Sequence, residues 1–220
     1  MPRNKNPEET IKKILDVSQE LFLKKGFEKT TILDIVNDLG GMTRGAFYHH
    51  FKSKEEVFAA LTERFFYELS PILKLQKRTD LSGLEKILTL MKFSLSTDNT
   101  EMLAVQQLSL SLVSSPYFLA EHIKSNREVA EIITLFFAEG MADGSIRPGN
   151  PKILADLFML TFNFWLFPAL FPCDREEFAD RLKTIHHIFD SLGCPLVDEE
   201  LEGSLDRIVN LFQVAPTPRD

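Results

Sequence analysis

The chain has 220 residues, 44% hydrophobic and 26% charged, which excludes wholesale disorder and supplies enough apolar surface for one large domain or two modest ones. A net charge of −7 argues against a nonspecific nucleic-acid binder, but residues 1–60 hold ten Lys and Arg against nine Asp and Glu, leaving fifteen against twenty-three beyond. An acidic body repels phosphates, so any DNA contact belongs to the first quarter of the chain.

The N-terminal MPRNKNPEETIKK lacks a continuous apolar h-region, so no export signal is expected and the protein is expected in the cytoplasm, with Cys173 and Cys194 reduced. Asn6 is placed to cap a first helix, with Pro7 in its first turn and Glu9 as the capping-box partner. Ile11, Ile14, Leu15, Leu21 and Phe22 form its apolar stripe, Ser18 fills the gap, and Lys24-Lys25-Gly26 ends it. Thr31 then caps a short second helix, with Asp34 three residues on and Ile32, Ile35, Val36 and Leu39 on one face. Gly40-Gly41-Met42 supplies a sharp turn, and Thr43 caps a third helix from Arg44 to His50. Ser53 and Glu56 form a capping box for a fourth helix through Val57, Phe58, Leu61, Phe65 and Leu69, which Pro71 kinks or ends.

From residue 83 onward the periodicity predicts helices near 83–97, 100–113, 117–142, 151–167, 174–192 and 201–213, followed by a frayed tail over 215–220. The apolar stretch Leu157 to Cys173 contains Asn163 and Pro168 and is better suited to a buried helix than to a membrane span, so no membrane partner is expected. Phe158, Phe162, Phe164, Trp165, Phe167 and Phe171 ring this region. Core packing accounts for most of them, while Gln106, Gln107, Asn163 and Trp165 bring polar groups into apolar helices, as ligand pockets do. Gln106, Gln107, Phe158, Phe162 and Trp165 are therefore the candidate ligand-binding residues, with Phe162 and Trp165 expected on one face.

A short helix, a glycine turn and a second capped helix make up the helix-turn-helix geometry, in which the second helix enters the major groove. Met42 and Phe47 are expected to face the core, leaving Arg44, Ala46, Tyr48, His49 and His50 with no apolar stripe to bury. The stretch TTILDIVNDLGGMTRGAFYHHFKSKEEV, Thr30 to Val57, resembles the signature of the TetR family, and the likeness extends back through the first helix. This resemblance implies an all-α fold: a helix-turn-helix DNA-binding domain over 1–53, a helical ligand-binding and dimerisation domain over 54–214 joined through the fourth helix, and a flexible tail over 215–220. It also implies DNA contacts by residue. Thr30, Thr31 and Thr43 present hydroxyls and N–H groups to phosphates, Arg44 reads guanine, Ala46 touches a thymine methyl and Gly45 permits close approach. Tyr48, His49 and, more weakly, His50 match phosphate-holding positions, and Lys54 matches the lysine that grips the backbone. Gly40 stands where relatives more often carry alanine, and it is expected to loosen the end of the second helix by up to ~1 kcal/mol. Arg3 and Lys5 form a basic arm that is either a minor-groove reader or a solvated tail.

Adjacent histidines, His49-His50 and His186-His187, point too far apart on a helix to share a metal, and no nucleophile, metal cage or phosphate loop supports catalysis. No cofactor is expected. The sequence thus points to a homodimeric repressor of a near-palindromic double-stranded operator, released when a small apolar effector enters the C-terminal domain, with the fourth helix as the lever and the helices near 151–167 and 174–192 as the dimer interface. The alternative is a helical protein-binding module without sequence-specific DNA binding.

Overall fold

A computed structural model of the chain describes residues 7–64, 71–94, 116–167 and 170–196, and among them all regular structure is helical. The expected helices near 100–113 and 201–213, the Asn6 cap, the arm with Arg3 and Lys5, Gln106 and Gln107, and the C-terminal tail lie outside the described residues. Contacts divide the chain into two compact units, 1–69 with 104–121 and 70–103 with 122–220.

The first unit contains α1 (Pro7–Lys25), α2 (Ile32–Asp38), α3 (Arg44–His50) and α4 (Lys54–Arg64). The apolar stripe read from α1 is buried through Ile14, Leu15, Leu21 and Phe22, with Ser18 admitting close packing. Phe22, Phe27 and Phe58 stack edge to face at 5.0 and 5.8 Å, and each buried ring contributes about 1.5–3 kcal/mol by leaving water. Arg64 fastens the end of α4 to α1 through Asp16 at 2.5 Å and Gln19 at 2.7 Å. Helix α4 therefore groups with the head by packing, because Val57, Phe58 and Leu61 complete the core that α1 to α3 cannot close alone. Its capping box is only half as expected: the Glu56 N–H donates to Ser53 Oγ, but the Glu56 carboxylate accepts from the Lys52 N–H.

The turn between α2 and α3 corrects the expectation for Gly40. Gly40 and Gly41 have φ of +53° and +91°, so Gly40 is not a weak last helical residue but a left-handed residue following the cap. A side chain there is strained, and glycine stabilises this turn.

The second unit contains α5 (Ile72–Gln76), which the sequence did not suggest, α6 (Gly83–Ser94), the body of α7 (Pro116–Asp143), α8 (Pro151–Leu160) and α9 (Arg175–Ser191). Pro71 initiates α5 as its N-cap residue. Helices α6 and α7 meet so closely that a Cβ on Gly83 would fall 2.1 Å from the Gly140 nitrogen. Asp143 and Ser145 cap the first turn of α6 from outside, accepting the Gly83 N–H at 2.8 Å and the Leu84 N–H at 3.3 Å. Lys86 is buried there against Glu139 and the Phe136 ring. The helix expected over 151–167 is capped by Asn150, whose side chain accepts the Lys152 and Ile153 N–H groups, but beyond Leu160 it changes to a π turn over Thr161–Trp165. No helix among the described residues is long and apolar enough to cross a membrane.

Candidate nucleic-acid interface

Two capped helices and a glycine turn build the candidate interface. Thr31 accepts the Asp34 N–H at 3.1 Å, and the Asp34 carboxylate accepts from the Thr31 N–H and hydroxyl at 2.9 and 2.7 Å. Lys25 completes this exposed group with a 2.8 Å ion pair to Asp34; the lysine and then Thr31 hold the Asp34 carboxyl well below the usual carboxylate range. Helix α3 is entered through Thr43, whose hydroxyl accepts the Ala46 N–H at 3.1 Å.

Only one α3 side chain is buried. Phe47 is 0% exposed and anchors the helix, while Arg44, Gly45, Ala46, Tyr48 and His49 are exposed and His50 is half-buried against the His49 ring. Seven residues with a single core anchor present the rest outward by helical geometry. Gly45 is informative because nothing inside the protein asks for it: its φ is not positive, and an added Cβ would meet only the Thr43 hydroxyl at 3.9 Å. Gly45 is the second residue of α3, where glycine gives up part of the about 0.5–1 kcal/mol that alanine offers inside a helix, so its use here fits close approach of an outside surface. Arg44 likewise makes no ion pair with any described residue, whereas Lys25, Lys54 and Arg64 are engaged.

Two expected contacts look different in the structure. Thr30 is 1% exposed, its hydroxyl donates to the carbonyls of Gly26 at 2.8 Å and Leu21 at 3.3 Å, and its N–H donates to Phe27. It closes the end of α1 and has no hydroxyl to offer a phosphate, which corrects the expectation. Lys54 donates to the Phe27 carbonyl at 2.8 Å and the Glu28 carbonyl at 3.3 Å, with its ammonium 4.3 Å from the Phe27 ring centre. Those bonds brace the α1–α2 turn, a role that spacing alone could not show. Two of the three ammonium N–H groups are used in this way, and the Glu28 carboxylate lies 4.0 Å from the nitrogen.

Residues 14–61 match the family described as bacterial regulatory proteins of the tetR family, covering α1 to α4. The chain is 30% identical over 138 residues to the HTH-type transcriptional repressor KstR2 of Mycolicibacterium smegmatis, covering 61% of this chain and 66% of that protein. The chain belongs to the TetR family of transcriptional regulators. Against TtgR of Pseudomonas putida the identity is 41% over 56 residues, 26% of each chain, so the match spans two thirds or less of these curated relatives. A solved gamma-butyrolactone receptor (ArpA-like protein) shares the fold, with a TM-score of 0.57, 20% identity, and coverage of 92% of this chain and 98% of that one.

In the second unit of this TetR-family chain, the aromatic residues expected to bind ligand face α9. Phe158 and Phe162 lie 4.7 Å apart, both 6.3 Å from Phe189, and Phe137 closes the group at 6.2 Å from Phe158. Trp165 meets the same helix two turns away, beside the Arg181 guanidinium at 5.8 Å. Phe158 is buried; Phe162 and Trp165 are half-buried. Phe171 is 47% exposed and stands apart from this group's core.

Sequence reasoning missed three polar residues here. His122 and Asn126 of α7, one turn apart, hold Asn163, and the buried Arg181 donates to the carbonyls of Trp165 at 3.0 Å, Phe171 at 2.8 Å and Pro172 at 3.4 Å. The available signal was their helical spacing on otherwise apolar faces. Burial pushes the His122 imidazole below its ordinary pKa, opposed by its bond to the Asn163 carbonyl, so the ring is neutral near neutral pH.

Proposed function

We propose that this protein is a cytoplasmic, homodimeric transcriptional repressor that binds a near-palindromic operator and releases it when a small, largely apolar molecule enters its C-terminal domain. It acts as a binder and not as an enzyme. The head, which by packing takes in α4 beyond the expected 1–53, supplies the DNA-reading surface, and the rest of the chain up to 214 supplies ligand binding and dimerisation. The observation that carries the reading is α3: one buried ring, Phe47, beneath an exposed face with an Arg44 that has no ion-pair partner among the described residues and a Gly45 whose added Cβ would meet only the Thr43 hydroxyl. Arg44 then reads guanine and Ala46 a thymine methyl, while Thr43, Tyr48, His49, His50 and Lys54 hold phosphates; Thr31, expected among them, is left out because its N–H and its hydroxyl both donate to Asp34.

The ligand part rests on kinship with regulators that include a named receptor and on the aromatic layer of Phe158, Phe162 and Trp165. The dimer part is supported by Ile153 and Leu160 on α8, 60% and 59% exposed and seven residues apart on one helix face. Retardation assays with duplex DNA flanking the coding region test the central claim. Specific, salt-sensitive binding is expected, falling by ~1–3 kcal/mol per contacted base pair in Arg44→Ala while affinity for random DNA is kept. An equal loss on both DNAs would make Arg44 a phosphate clamp; no binding at low salt would favour a protein-binding module.

A further inference from the structure

Helix α8 ends in a π turn that neighbouring helices hold open. The Leu166 N–H reaches back five residues to the Thr161 carbonyl at 2.9 Å, and the Phe167 N–H bonds to Phe164 at 3.1 Å. In an uninterrupted α-helix the Phe167 N–H would bond to the Asn163 carbonyl. That carbonyl is taken instead by His122 Nε2 at 3.0 Å; because a carbonyl only accepts, this nitrogen carries the proton.

The grip extends to the side chain. Asn163 Nδ2 donates to Asn126 Oδ1 at 2.7 Å, and Asn126 in turn donates to the His122 carbonyl at 2.7 Å. From the other side Arg181 donates to the Trp165 carbonyl at 3.0 Å. The His122 ring also lies 5.0 Å from Phe164 and 6.0 Å from Phe167.

Two registers of this segment therefore differ by the exchange of one donor for another at the Asn163 carbonyl: the Phe167 N–H in an α register, the His122 N–H in the π register. Each residue of an α-helix turns the chain by about 100°, so a one-residue shift would re-aim Phe164, Trp165 and Phe167. Packed interiors pass between discrete arrangements instead of deforming smoothly, and π turns inside helices recur at functional positions.

We propose that Thr161–Trp165 is a two-state element of the sensing body, held in its π register by the His122 N–H, and that its change of register alters operator affinity. The second clause rests on the operator-binding reading above. The test uses the full chain without effector. His122→Phe keeps a stacked ring but loses the N–H, and His122→Gln restores an N–H donor.

In His122→Phe, amide exchange at Leu166 and Phe167 changes about tenfold, because the freed Asn163 carbonyl biases the segment toward the α register by the worth of one hydrogen bond, while α1 and α9 keep their protection. Affinity for the flanking duplex at fixed salt changes at least about threefold in the same variant, within the range of couplings between sites, and His122→Gln returns both quantities toward wild type. Unchanged exchange in His122→Phe overturns the proposal, because packing alone would then set the register. Altered exchange with unchanged affinity also overturns it, as would a global loss of protection that His122→Gln does not reverse. Wild-type protein that binds no flanking DNA would instead refute the operator reading, and the exchange result alone would then decide whether the element has two states.

Discussion

Helix α3 and the end of α8 are both short segments crowded with aromatic and polar residues, yet they are organised by opposite means. In α3 each interaction that shapes the helix is local: Thr43 caps it, Gly40 and Gly41 turn the chain into it, and one ring seats it. In α8 the decisive bonds come from elsewhere, from His122 and Asn126 some forty residues earlier and from Arg181 sixteen residues after Trp165. The lesson is that an exposed helix face can be specified by near neighbours, whereas a segment inside the second unit takes its shape from the helices around it.

The largest expected effect breaks the local side of this comparison. Phe47→Ala removes the only buried α3 side chain and should destabilise the head by about 3–5 kcal/mol, seen as an early thermal transition together with loss of DNA binding. Should the head melt as wild type does, the single-anchor description of α3 is wrong. Phe162→Ala, at a half-buried position, should cost less, keep the dimer mass and operator affinity, and blunt the response to effector; a monomeric Phe162→Ala or Trp165→Ala variant would place these rings at the interface instead.

Arg181→Met tests the tertiary side. It leaves three carbonyls without their donor and should cost about 2–3 kcal/mol in chemical denaturation, with no change in operator contacts. A neutral result would mean that water replaces the guanidinium at no cost.

Two glycine substitutions sharpen the contrast within the head. Gly40→Ala should destabilise by about 1–2 kcal/mol, because its φ is left-handed. Gly45→Ala should stabilise by about 0.5–1 kcal/mol while weakening DNA binding, and a variant that gains stability and keeps full affinity would remove the case for close approach at that position.

For Lys54→Ala a smaller change is expected in the salt dependence of binding, a slope reduced by ~1 per half-site, accompanied by some loss of head stability because the Phe27 and Glu28 carbonyls lose their donor. An unchanged slope would assign Lys54 wholly to the α1–α2 turn. The smallest effect is chemical. Burial pushes the Cys194 thiol up to about 12, so it should resist thiol reagents in the native state at mildly alkaline pH. A raised folded value stabilises fully below the ordinary thiol pKa, and that contribution is lost as pH rises toward the folded value. Rapid native-state labelling of Cys194 would show that the second unit opens there.

How much of this was legible beforehand follows the same division. The caps at Thr31 and Thr43, the glycine turn, the Phe47 anchor and the exposure of Arg44, Ala46 and Tyr48 were all readable, since each depends on residues within about one helical turn. Thr30 was misread because a hydroxyl beside a cap looks like its neighbour in sequence, and only the packing of α2 under α1 turns it toward the Gly26 and Leu21 carbonyls. Gly40 was misread for a related reason: composition cannot tell a last helical residue from the left-handed residue after it.

By itself the sequence determined an all-helical chain, the order of the helices in the head with the caps of α2 and α3, and the exposed face of α3, because helical periodicity and capping act over three or four residues. Tertiary structure alone decided that Lys54 braces the α1–α2 turn, that α4 closes the core of the head, and that α8 leaves the α register at Thr161. Those outcomes depend on hydrogen bonds whose partners meet only when distant segments pack, and a buried donor or acceptor must find such a partner wherever the fold supplies one.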